Sequence, residues 1–299
     1  MLTRLIANAD DLGVTRGVNR AIGELYRAGA LTSATLMASG AAFTDAVEMA
    51  QAHPGLGVGC HVVLTDGVAL SPPAKIGTLL GKAVGGEARL RPSLGQFARA
   101  ALLGQLDEAE LEREAEMQIT RVLDAGIRPT HVDTHKHTHL FPVVLRAVLR
   151  AAERLGVPAI RNPFEPRWAM RLGAGGTMRR LQMRVLDGFG RSFEEQPALR
   201  RGEVQTTDGS IGVSTTGKLN RASLMAMLAA IPPGTWELVC HPRYDDAELG
   251  RVRTRLRGER EVEREALLEL LPPMRGREGV EMISFGDLAP RSARTAGVA

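Results

Sequence analysis

Carboxylates and imidazoles gather in four short segments of this chain. They are Asp10-Asp11, His61, the run His131-Val132-Asp133-Thr134-His135-Lys136-His137-Thr138-His139, and His241. Of the seven histidines only His53 stands apart. It precedes Pro54 at the end of a helix-like run and reads as structural. Imidazole and carboxylate together suit a borderline divalent metal such as Zn, Mn, Fe, Co or Ni, with Mg less natural beside nitrogen ligands. Such an ion acidifies a water and polarises a carbonyl, so the expected chemistry is hydrolysis.

Spacing limits how the histidine run can act. In an extended chain residues 131, 133, 135, 137 and 139 face one way, with Cα atoms about 6.6 Å apart. A metal–imidazole bond is about 2.0–2.1 Å. One ion therefore takes one or two ligands from the run and the rest from other segments, with Asp11 and His61 the natural suppliers. Asp133 and the remaining histidines, His137 and His139 among them, would orient ligands or touch substrate. Asp10 is left to take a proton from water, and His241 to return one to a departing amine, since an imidazole with a pKa of about 6.5 suits that task. The plainer alternatives are that one aspartate caps the turn through Gly13 and that His241 is a core or supporting histidine.

The elements that must position these groups alternate. Strand-like runs at Leu2–Asn8, Ala34–Ala38, Leu56–Leu64, Thr130–Thr134, Pro158–Arg161, Ile211–Val213, Trp236–Cys240 and Val280–Ser284 are separated by helical periodicity. The helices are expected near Gly17–Ala28, Thr44–Ala52, Asp107–Ala125, Pro142–Leu155, Arg221–Ala230 and Arg260–Leu271. This is the pattern of a parallel sheet with helices outside. Eight candidate strands predict an α/β fold, a TIM-like (β/α) barrel, whether regular, distorted or incomplete, rather than an open doubly wound sheet. Each chemical segment then follows or ends a strand, at the rim where such folds gather their sites. A single domain is expected over residues 1–288, with long excursions at about 65–106 and 163–205 and a disordered tail at 289–299.

Composition narrows the class. The chain has 299 residues, 44% hydrophobic and 24% charged, with a formal charge of +4. No run of about 20 apolar residues suggests a membrane span, and no secretory signal is evident, so a cytoplasmic location is the default expectation. All but four of the 38 basic residues are Arg. Acidic residues are interleaved with them, which favours a solvated surface over a nucleic-acid partner. Cys60 and Cys240 each precede a site histidine, His61 and His241. In a strand they would point into the packing layer as core thiols.

Four motifs in order carry a resemblance. Asn8-Ala9-Asp10-Asp11-Leu12-Gly13, Gly57-Val58-Gly59-Cys60-His61-Val62-Val63-Leu64, Thr130 to His139, and Glu237-Leu238-Val239-Cys240-His241-Pro242 resemble those of the YdjC/ChbG carbohydrate deacetylases. The resemblance covers roughly residues 1–285. It implies a barrel-like fold, one divalent metal ion per chain (Mg, Zn or another transition metal), frequent homodimers, and removal of the N-acetyl group from an N-acetylated amino sugar. Carried over by motif, Asp11, His61 and His135 are the ligands, Asp10 the base and His241 a candidate acid. Lys136 stands where chitooligosaccharide deacetylases usually carry another histidine. With Arg161-Asn162-Pro163-Phe164-Glu165-Pro166 it is more similar to a hopanoid-associated branch, HpnK, which implies a lipid-linked sugar, with Arg161 a candidate contact and Trp168, Met170, Leu172 and Met178 an apolar lid. The competing readings are an amidohydrolase- or phosphoesterase-like enzyme that uses His135 and His137 on two metals, and a sugar- or lipid-binding module without activity.

Overall fold

The computed structural model describes residues 2–81, 89–172, 187–244, 248 and 258–288. The first strand sets the pattern. β1 (Thr3–Leu12) alternates faces: Leu5, Ala7 and Ala9 join the main core, while Ile6, Asn8 and Asp10 line the other face, all fully or almost fully buried. Both faces are covered, as a parallel strand requires. α1 (Arg16–Arg27) follows, its first turn closed by the Thr15 hydroxyl accepting from Val18 N at 3.2 Å. Its Val18, Ala21, Ile22 and Leu25 are buried, the stripe that the periodicity predicts.

The unit then repeats. β2 (Ser33–Leu36) leads to α2 (Phe43–Gln51), and β3 (Gly57–Val62) leads to α3 (Leu94–Leu102) and α4 (Glu108–Asp124). β4 (Val132–Thr134) precedes α5 (Pro142–Arg154), and among the described residues the short helices α6 (Arg167–Leu172), α7 (Gly190–Glu194) and α8 (Pro197–Arg200) follow. β5 (Gly209–Ile211), α9 (Arg221–Ala230), β6 (Gly234–Cys240), α10 (Gly258–Leu270) and β7 (Val280–Met282) complete the order.

The sheet runs β4-β3-β2-β1-β6-β5 and every pairing in it is parallel. Single bridges carry it onward: Ile160 pairs with Val132, and Gln205 with Ala159. The sheet thus curls round towards closure between β4 and β5, a TIM-like distorted barrel. The expectation of eight strands needs two corrections. Pro158–Arg161 makes only isolated bridges, and β7 pairs with the start of β1 alone, at Thr3 to Leu5, off the ring. β5 also ends at Ile211, because Gly212 turns the chain at φ 91°.

The excursion at 65–106 holds α3, two antiparallel bridges (Val68 with Arg89, Leu80 with Leu90) and a buried anchor on α4. There Glu114 accepts from Leu70 N and Ser71 N, each at 2.9 Å, and Gln118 bonds both N and O of Val63. The arginines on α5 are paired: Arg146 and Arg150 with Glu108, Arg150 and Arg154 with Glu112, and Arg154 with Glu116 on α4. That ladder accounts for part of the basic charge. Arg251, Arg253, Arg255 and Arg257, Met178 and the tail at 289–299 lie outside the described residues. No helix among the described residues is long and apolar enough to cross a membrane.

Candidate functional site

The barrel interior is apolar at one end and charged at the other. At the amino ends of the strands Ile6, Ala159, Ile283 and Phe285 form a small core. His131 stacks on Phe285 with ring centroids 3.7 Å apart, which removes it from any metal site. Gly59 is required beside it, since a Cβ there would lie 2.5 Å from His131 Cε1.

Towards the carboxyl ends the inward residues are polar. Arg161 is fully buried and meets three acidic side chains. Its Nη1 and Nη2 donate to Asp10 Oδ2 and Oδ1 at 2.9 and 2.6 Å. Nη1 also lies 2.5 Å from Asp133 Oδ2. Nε and Nη2 donate to Glu237 Oε1 at 2.9 and 2.6 Å. Burial by itself opposes the charge on Asp10, but Arg161 outweighs it, helped by His61 and His241, and holds the carboxyl well below its ordinary range. Asn8 Nδ2 and Thr35 Oγ1 complete its shell at 3.2 and 3.3 Å.

Neighbouring strand residues point to opposite faces, so Asp10 and Asp11 should diverge. A bulge prevents this. Between Ala9 and Leu12 β1 carries one residue more than β2, and Asp11 takes a left-handed φ of 69°. The carboxylate of Asp11 thereby comes to the rim, with Oδ1 3.8 Å from His61 Nε2 and 3.6 Å from His135 Nδ1. Burial pushes the Asp11 acid up, yet His135 first, then His241 and His61, hold it well below the ordinary carboxylate range. The first strand is longer than its predicted Leu2–Asn8, and the aspartates lie inside it rather than after it.

His61 faces inward from β3. Its Nδ1 lies 2.7 Å from Asp133 Oδ1, and its ring sits 5.5 Å from that of His135. Burial disfavours the imidazolium, but Asp133, with Asp10 and Asp11 behind it, pushes His61 up to about 9. A carboxylate on Nδ1 keeps a proton there, so the proton a metal would displace is the one on Nε2, the nitrogen turned towards Asp11.

The histidine run is not extended, which corrects the one-face reading. β4 ends at Thr134, and His135–Leu140 is a tight turn with Lys136 and His137 at φ 57° and 53°. Alternation holds only for His131 and Asp133. His135 swings to the rim beside Asp11. His139 turns away into the protein, fully buried, with Nδ1 2.6 Å from Thr134 Oγ1. His137 lies near it, ring centroids 6.4 Å apart. Lys136 reaches Asp66 of the first excursion at 2.6 Å.

His241 follows β6. Its Nε2 lies 3.5 Å from Asp10 Oδ2, and its backbone N donates to Glu263 of α10 at 2.8 Å. Burial, then Arg260, holds its pKa well below the ordinary imidazole value, so the resting ring is neutral. Both cysteines are buried, and burial pushes both thiols up, so they are core groups.

Among the described residues two groupings could hold an ion: Asp11 with His61 and His135, and Asp10 with His61 and Asp133, each with ligand atoms within 4.8 Å of one another. The second is filled by Arg161, whose guanidinium pairs with both of its carboxylates. No Arg or Lys ion pair is seen at Asp11 among the described residues, and the first grouping keeps partial access, with Asp11 and His135 side chains 16% and 21% exposed. Its one carboxylate and two imidazoles fit a first-row divalent metal and leave room for water and substrate.

Glu237, Asn8, Thr35 and Glu263 were not among the residues predicted from spacing. Glu237 had a signal: it is the one charge in the buried strand Gly234–Cys240, and buried charges are paired.

The comparisons agree with this architecture. The family model for YdjC-like protein matches residues 4–270. The chain is 28% identical over 268 residues to a carbohydrate deacetylase of Thermoanaerobacter pseudethanolicus, spanning 89% of this chain and 90% of that protein. It is 41% identical over 161 residues to a carbohydrate deacetylase of Brevibacillus brevis, but this match spans 54% of the chain and only 60% of the relative. A chitooligosaccharide deacetylase of an Enterobacter species is 39% identical over 155 residues, 51% of the chain and 57% of that protein. The fold matches that of a protein from Enterococcus faecalis V583, provisionally named for cellobiose-phosphate cleavage. The TM-score is 0.76 at 22% identity, covering 97% of this chain and all of the other. The family match takes in Asp10, Asp11, His61, His135, Arg161 and His241 together, and by it the chain belongs to the YdjC-like family.

Proposed function

We propose that this chain is a divalent-metal-dependent N-deacetylase that removes acetate from an N-acetylated amino sugar of the chitooligosaccharide kind. The observation that carries this reading is the rim cluster Asp11, His61 and His135, with Asp10 and His241 alongside it. The names of the relatives support the reaction class.

Asp11, His61 and His135 would hold one ion. When bound, the ion supplies a Lewis acid for the acetyl carbonyl and for the attacking water. Asp133 holds His61 from behind, so Nε2 is presented without a search of rotamers. Asp10, kept ionised by Arg161, accepts a proton from water. Its Oδ2 is 3.5 Å from the neutral Nε2 of His241. A proton arriving on Asp10 therefore has a short path to the group that would protonate the leaving amine.

A two-metal hydrolase built on His135 and His137 has less support. The two ion-binding groupings among the described residues share His61, and Arg161 occupies one of them. A lipid-linked substrate also has less. Trp168 packs edge-on against Trp236 at 5.7 Å, and Met170 is buried with Val213 and Val239, which leaves Leu172 as the exposed member of the described set.

The test is acetate release from a panel of N-acetylglucosamine oligomers, the monomer and a lipid-linked N-acetylglucosamine, with and without chelator. Release from the oligomers, abolished by chelator and restored by a divalent ion, is the expected result. No acetate from any member under any divalent ion would overturn the proposal.

A further inference from the structure

Glu237 takes no part in that chemistry, and its surroundings do not suit an ionised carboxylate. It is fully buried on β6 among Arg161, Asp10 and Asp133, so three acidic side chains share one guanidinium. Its Oε1 accepts from Arg161 Nε and Nη2. Its Oε2 lies 3.1 Å from Ser210 Oγ on β5.

The serine decides the matter by counting hydrogens. A hydroxyl has one proton. Ser210 Oγ is 2.6 Å from the backbone oxygen of Asn162, which can only accept. The serine proton goes to that shorter contact. The hydrogen between Oγ and Oε2 must then come from Glu237.

We infer that Glu237 is a neutral carboxylic acid in the folded protein, donating to Ser210 and leaving the charge of Arg161 to Asp10 and Asp133. The chain of donors runs from Glu237 to Ser210 to the carbonyl of Asn162, the residue that follows Arg161. Asp10 and Asp133 then share the guanidinium of Arg161 without a third charge. Burial, opposed by Arg161 and reinforced by Asp10 and Asp133, holds the Glu237 acid at about 7. Glu237 is thus a positioning residue that grips Arg161 without competing for its charge. The protonation state stands apart from the deacetylase reading; only its kinetic consequence rests on that reading.

Three readouts on the full-length protein test it. Wild type at pH 6 should show the infrared carbonyl band of a protonated carboxylic acid, and Glu237→Gln should lack it. Glutamine keeps an acceptor for Arg161 and a donor for Ser210, so Glu237→Gln should fold. A neutral group held at about 7, against 4.5 in the unfolded chain, lends stability that is full below pH 4.5 and lost as pH rises through 7. The melting temperature of Glu237→Gln relative to wild type should therefore rise between pH 5 and 8. In acetate release, Glu237→Ala should lose at least about tenfold in kcat, and Glu237→Gln should recover most of it. Absence of the infrared band, a Glu237→Gln protein that does not fold, or a melting difference that falls with pH would each overturn the inference. A wild type that releases no acetate would sink the deacetylase reading and leave the spectroscopic and thermal arms to decide this one.

Discussion

Replacing Arg161 by methionine is expected to destabilise the protein by about 3–5 kcal/mol, the cost of leaving buried charge without its partner. Methionine fills comparable space, so the loss is electrostatic rather than a cavity effect. Asp10, Asp133 and Glu237 would then face one another across the barrel with His61 as the remaining cation beside them. Burial would push the acids of Asp10 and Glu237 up, and protons would be taken up in place of the guanidinium. The folded form would hold those protons more tightly than the unfolded chain. The deficit should therefore shrink as pH falls towards 5 and widen as pH rises, as read by urea denaturation at several pH values. An Arg161→Met protein with wild-type stability at pH 8 would mean that the buried cluster does not carry the charges assigned to it.

The second large effect is on turnover. Asp10→Asn is expected to lower kcat for acetate release by about 10²–10⁴-fold, the range for loss of a positioned proton acceptor. Metal content should stay near the wild-type value, because the proposed ligands are Asp11, His61 and His135. The amide also sets a donor against the Arg161 guanidinium, so a modest loss of stability is expected alongside. Turnover within about tenfold of wild type would remove Asp10 from its role as base.

Much of this was legible in the chain. Helix positions followed from apolar periodicity, and α9 matches its predicted bounds at Arg221–Ala230. The segments bearing Asp10, His61, Asp133 and His241 could be placed on one rim because each lies in or just after a strand of a parallel sheet. What failed was local geometry. The alternation rule sends Asp10 and Asp11 to opposite faces, and a one-residue bulge with a left-handed Asp11 reverses that. The same rule stacked the histidines on one face, whereas two left-handed residues fold them into a turn. Neither event has a glycine to announce it, so pattern alone could not find it. Arg161 stood out only as a candidate contact and Glu237 only as a charge in a buried strand, and pattern does not join them. Their partners come from β1, β4 and β5, and such a cluster exists only once the barrel curls.

The central claim is that Asp11, His61 and His135 hold the one ion that hydrolysis needs. The direct measurement is metal content and acetate release on the same preparations of wild type and His61→Ala. About one divalent ion per wild-type chain is expected, with metal affinity at least about 100-fold weaker in His61→Ala and acetate release lost with the ion. Acetate release at the wild-type rate from metal-free His61→Ala would contradict it.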